Sequence, residues 1–134
     1  MDSSVIIKIG KEKYATEVII GKHTLVIDEP ENIGGKDLGP TPMDLLLSSL
    51  GTCKAITMRM YADQKNWPLD NIEISLNVEV DKTVTPQTTR IKVDINLIGD
   101  LDDVQKERII KVGEKCPIHK ILTNPVTIET NMIQ

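Results

Sequence analysis

Two residues of this sequence carry nucleophilic sulfur, Cys53 and Cys116, and a thiol attacks an electrophile or binds a metal only as its thiolate. Cys53 lies in the run TPMDLLLSSLGTC, which reads as helix and places the cysteine about three turns in, beyond the terminal turn where the helix dipole acts. A nearby cation or hydrogen bonds must therefore support a Cys53 thiolate, because apolar burial alone raises a thiol pKa. Cys116 precedes Pro117, and proline disfavours helix at the residue before it. Cys116 is thus expected to end a helix, where the last carbonyls disfavour a thiolate unless Lys115, Lys120 or His119 offsets them. The two thiols are unequal, which suits an attacking and a resolving cysteine. Other readings stand beside that one. Cysteine often serves as a small buried apolar residue, and a zinc site would have to draw on Cys53, Cys116, His119 and His23, which lack CxxC or HxxxH spacing.

The remaining polar residues have structural readings. Asp44 fits a capping box after Thr41 and Pro42. Arg59 falls on a different face of an ideal helix from Cys53. Trp67, before Pro68, reads as helix-end packing, and Gly34 and Gly35 read as turn residues outside any phosphate-binding pattern. His119 is placed to tune Cys116 or simply to face solvent.

The elements that must position the thiols follow from periodicity. β-branched runs at Val5 to Ile9, Tyr14 to Ile20 and Thr24 to Ile27 predict an antiparallel meander, the last two joined at Gly21 and Lys22. Residues 29–41 read as loop. A long helix is predicted from Pro42 to about Lys65, with Met43, Leu46, Leu50, Cys53, Thr57 and Met60 on one face and tight packing around Ser48, Ser49 and Gly51. Ile72 to Val80 and Arg90 to Ile98 alternate as two half-buried strands of a hairpin. Asp100 is expected to cap a second helix, with Asp102 and Asp103 in its first turn and Lys111 and Lys115 near its end. A further turn over Ile118 to Leu122 and a closing strand over Val126 to Met132 complete the chain. Strands and helices do not alternate strictly, so the expected class is α+β, in one domain over residues 1–134.

Composition excludes several functions. The chain has no Phe, one Trp and two Tyr, leaving no aromatic platform for stacking single-stranded nucleic acid. A net charge of -4 offers no general attraction to phosphates. No stretch approaches the roughly 18 apolar residues of a membrane span, and the short apolar run before Lys8 is not that of a signal peptide. A reducing cytoplasm is the expected compartment, where free thiols or a redox pair are favoured over a permanent disulfide.

The block GPTPMDLLLSSLGTC resembles the OsmC/Ohr family pattern of a Pro-led helix carrying a reactive cysteine. The block KCPIHKILTNPVTIE is similar to the family's second cysteine motif, and the likeness extends along the whole chain order. The resemblance implies an intertwined homodimer, with two long central helices between antiparallel sheets and sites at the subunit interface. It implies that Cys53 attacks an organic hydroperoxide and that Cys116 resolves the resulting sulfenic acid as a disulfide. A dithiol reductant, in several members a lipoyl protein, would restore the pair, and no cofactor is called for. Two positions depart from the hydroperoxide reductases of the family: Met43 stands where they carry Glu, with Asp44 one residue later, and no arginine precedes Arg59. The cations available in the N-terminal part are Lys8, Lys11, Lys13, Lys22, Lys36 and His23, and lysine lacks the planar fork of arginine. The GKH turn, the GG loop and PMDLLL resemble a less characterised branch that keeps both cysteines without the Arg and Glu. A non-catalytic dimer that binds a small ligand or senses redox state is the alternative expectation.

Overall fold

The computed structural model describes residues 4–133, which form two compact units, one ending at Leu46 and the other beginning at Leu47. The first unit holds a three-stranded antiparallel sheet, β1 (Val5–Lys8), β2 (Thr16–Ile20) and β3 (His23–Ile27), in that order. Gly21 turns β2 into β3 at φ 58°, a left-handed conformation that a side chain disfavours. β2 begins at Thr16 rather than Tyr14 because the Tyr14 N–H is drawn away to the Asp28 carboxylate at 3.1 Å.

Asp28 organises the loop that follows. It is 1% exposed and accepts from the backbone N–H groups of Tyr14, Glu29, Lys36 and Leu38 at 3.1, 2.7, 3.3 and 3.2 Å. Burial pushes its pKa up, but the donors at Glu29, Leu38, Tyr14 and Lys36 outweigh burial and hold the carboxyl below its ordinary value. Within the loop Glu31–Ile33 form a 3-10 turn closed by Gly34 at φ 102°, and Gly35 lies so close to the Glu29 carbonyl that a Cβ has no room.

Helix α1 (Pro42–Gln64) starts as expected: Thr41 N–H donates to Asp44 Oδ2 at 3.0 Å and Asp44 N–H donates to Thr41 Oγ1 at 3.1 Å, a reciprocal capping box. It ends at Asn66, left-handed at φ 58°, with Trp67 N–H returning to the Ala62 carbonyl at 3.0 Å. The buried face differs from the expected one. It consists of Leu50, Gly51, Lys54, Met58 and Ala62, whereas Met43, Leu46 and Met60 are exposed. Cys53 and Thr57 are half-buried, and of the small residues near Cys53 only Gly51 is buried, Ser48 being exposed. The expected stripe passed over Lys54 because it is charged; the stripe that packs includes it.

The second unit is built on a long hairpin, β4 (Leu69–Asp81) with β5 (Thr88–Gly99), antiparallel with Ile72 opposite Leu97, Ile74 opposite Ile95 and Leu76 opposite Val93. The alternation read from the sequence holds, since these residues form its half-buried face. That face packs with Met58, Ala62, Leu69 and Ile109 in the core, where Tyr61 and Trp67 meet edge to face at 5.5 Å. A Cβ on Gly51 would come within 2.7 Å of Leu76 Cδ1, so glycine sets how closely α1 approaches β4.

Helix α2 (Asp103–Gly113) is capped by Asp102, not Asp100. Asp102 accepts from the Gln105 N–H at 2.8 Å and its own N–H donates to Gln105 Oε1 at 2.9 Å, a full capping box. The helix stops at Gly113, so Lys115 and Cys116 lie beyond it. Cys116 instead begins α3 (Pro117–Thr123) as its N-cap. The closing strand expected over Val126 to Met132 is absent: the segment is without secondary structure, and Val126, Ile128 and Met132 are 59%, 84% and 91% exposed. It has the alternation of a strand, but no neighbouring strand supplies a ladder.

Candidate functional site

Cys53 reaches the site from α1, where it is half-buried, and Cys116 from the start of α3, where it is fully buried. Both are free thiols, and the Cys53 side chain lies near enough to Cys116 to raise its pKa. The fold thus joins the two sulfurs that the sequence holds far apart. Because Cys116 caps α3 rather than ending α2, its sulfur faces amide donors and not carbonyls: the His119 N–H donates to Cys116 Sγ at 3.3 Å. The expected carbonyl field is therefore replaced by a favourable one. Burial nevertheless dominates and pushes the Cys116 thiol pKa up; the His119 N–H lowers it, the Cys53 side chain raises it, and the Lys54 charge lowers it. Burial therefore favours the thiol form of Cys116.

Lys54 is the residue that sequence reasoning missed. It is 4% exposed, and its Nζ donates to the Gly113 carbonyl at 3.3 Å and lies 2.8 Å from His119 Nδ1. With Lys54 as an ammonium, His119 Nδ1 must accept, which leaves the imidazole proton on Nε2. The signal was present: Leu50, Lys54, Met58 and Ala62 recur at steps of four along α1, so a cation stood in an otherwise apolar stripe. His119 takes the role foreseen for it as a neighbour of Cys116, through its backbone rather than its ring.

The remaining residues singled out lie elsewhere. Lys8, Lys11, Lys13, Lys22, Lys36 and His23 are exposed in the first unit, Lys36 facing Glu12 at 3.8 Å. Arg59 is occupied by Asp63, at 2.7 Å, and by the Leu69 carbonyl, at 2.6 Å. Among the described residues no three His, Cys, Asp or Glu side chains gather as a metal-binding group.

The second unit also holds an open pocket of about 390 Å³ that Lys54 and His119 help to line. Its walls are aliphatic, with Leu50 from α1, Val93 from β5, Ile110 from α2 and Leu122 from α3, and its ionisable groups are Lys54, His119 and Glu114. His119 connects the two features, since it lines the pocket and its backbone N–H donates to the Cys116 sulfur.

The chain is thus an α+β protein with one thiol on α1 and a second at the start of α3. The match to the family of OsmC-like proteins covers residues 34–131, and the chain belongs to that family. Solved structures share its fold. The OsmC-like protein from Mycoplasma pneumoniae superposes with a TM-score of 0.77 at 19% identity, covering 91% of this chain and 89% of its own. The organic hydroperoxide resistance protein OsmC from Legionella pneumophila gives 0.70 at 17% identity, over 92% and 90%. The organic hydroperoxide resistance protein OhrB of Bacillus subtilis gives 0.65 at 20%, over 92% and 91%. No protein of curated function matches the sequence. Among the described residues no helix is long and apolar enough to cross a membrane.

Proposed function

We propose that this protein is a cytoplasmic thiol peroxidase that reduces organic hydroperoxides through Cys53 and Cys116. The observation that carries the reading is that the two free thiols lie near one another, near enough for Cys53 to raise the Cys116 pKa. The Cys53 thiolate attacks the outer peroxide oxygen, the O–O bond breaks, and the alkoxide leaves to be protonated as the alcohol; Cys53 becomes a sulfenic acid. Cys116 then attacks that sulfur, releasing water and forming a disulfide, which limits over-oxidation. A dithiol reductant, such as a lipoyl protein, returns both thiols and is itself oxidised. The kinship with proteins named for organic hydroperoxide resistance supports the choice of oxidant. A second copy of the chain is the natural partner, since all of β1 is exposed and Val5, Ile6 and Ile7 are apolar, a stripe that isolated soluble chains avoid.

The test is to expose the reduced protein to cumene hydroperoxide and count free thiols. Loss of both thiols of each chain with a Cys53 to Cys116 disulfide is expected; retention of both thiols ends the proposal.

The aliphatic cavity favours a second reading, a small apolar ligand held without turnover. It predicts ligand-dependent melting that survives replacement of both cysteines by serine, and loss of that stabilisation in the double variant would count against it.

A further inference from the structure

We propose that Lys54, held by His119, is a positioning residue for the resolving step: its ammonium makes the buried Cys116 thiol able to attack. The place of this step in a cycle rests on the peroxidase reading above; the charge arrangement itself does not.

A buried charge is costly unless paired. Lys54 is 4% exposed, yet its hydrogen-bond partners are a carbonyl, Gly113 O at 3.3 Å, and an imidazole, His119 Nδ1 at 2.8 Å, both neutral. Among the described residues the ion pairs are Lys36 with Glu12 and Arg59 with Asp63, and neither reaches Lys54. A cation is therefore kept in the interior with no carboxylate in contact. Among the acidic groups near it is Cys116, whose pKa the Lys54 charge lowers, as the smallest of several influences. His119 couples the two: its ring fixes the Lys54 ammonium and its backbone N–H points at Cys116 Sγ from 3.3 Å. When Cys116 attacks the Cys53 sulfenic acid, the S–S bond forms, the Cys53 S–O bond breaks, and the hydroxyl departs with the Cys116 proton as water. Negative charge accumulates on Cys116 Sγ as that proton leaves, where the ammonium and the amide oppose it.

The step can be read without hydroperoxide. One equivalent of the aromatic disulfide dithiobis-nitrobenzoate is expected to react first at Cys53, which is the more exposed thiol, releasing one thionitrobenzoate. Attack by Cys116 on the mixed disulfide then releases a second and closes the Cys53 to Cys116 bond. Lys54→Met is expected to leave the first release unchanged and to slow the second about tenfold at neutral pH, the loss produced by a rise of one pKa unit in the attacking thiol. The rate should recover as the pH is raised, and Lys54→Arg should restore much of it at neutral pH. The other titratable groups around the site are Cys53 on α1, Glu114 after α2 and His119 on α3, while β5 contributes Thr89, Ile91 and Val93. If Lys54→Met does not fold, Lys54→Gln and His119→Asn are read in the same way, and the same delay is expected in each. An unchanged second release and pH profile in the folded neutral variants overturns the inference. Failure of the wild type to form a disulfide with cumene hydroperoxide, alongside a Lys54-dependent second release, overturns only the peroxidase reading.

Discussion

At the scale of single residues, this protein places ionisable groups in its interior and answers each with neutral hydrogen-bond partners. Asp28 is answered by four amide donors and Lys54 by a carbonyl and an imidazole. For Asp28 the sign of the pH dependence follows from its lowered pKa. The carboxylate stabilises the fold above the unfolded value of about 3.9, and that contribution is lost as the pH falls through the lower folded value. Asp28→Asn should therefore lower the urea midpoint at neutral pH. The gap between variant and wild type should close as the pH drops below about 3.9, and a gap of constant size across that range would refute the assignment. Neither residue was legible from the sequence. The donors to Asp28 come from before and after it in a stretch with no periodicity, and Lys54 carries a charge that hydropathy reading assigns to the surface. Cys53 and Cys116 were legible because sulfur chemistry restricts what they can do; their proximity was not, because it depends on how the fold places α1 and α3.

At the scale of elements, local rules worked where local interactions decide. The Thr41 and Asp44 box opens α1 as expected, and β4 and β5 follow their alternation. The cap of α2 was misplaced by two residues because several acids compete there and only Asp102 has Gln105 at the reciprocal position. Asp102→Ala should lower the unfolding free energy by about 1 kcal/mol, measured by urea titration, while Asp100→Ala should change it by less than about 0.5 kcal/mol. Equal losses would mean that the capping box contributes nothing. The C-terminal segment marks the limit of local reading: Val126, Ile128 and Met132 alternate as a strand would, but a strand exists only with a neighbour to bond it.

At the scale of the whole molecule, exposed aliphatic surface outweighs what a free-standing chain needs. Ile6, Ile7, Ile128 and Met132 are at least half exposed, in segments far apart in sequence. A second copy would cover such surface. Sedimentation equilibrium should therefore give twice the chain mass of 14.9 kDa, and Ile7→Asp should shift the distribution towards monomer. A wild-type protein that sediments at the single-chain mass would exclude the dimer. The α+β class and the family were accessible from chain order and the two cysteine blocks, since those are properties of one chain. Assembly is a property of two.

The sulfur of Cys116 has a second occupation, as the acceptor that opens α3 for the His119 amide. A disulfide to Cys53 would replace the S–H bond of that sulfur by an S–S bond and so change the acceptor that the His119 amide meets. The same atom that records oxidation thus also sets the first hydrogen bond of a helix. The His119 amide proton becomes an internal gauge, its resonance position reporting the redox state of the pair without any added label.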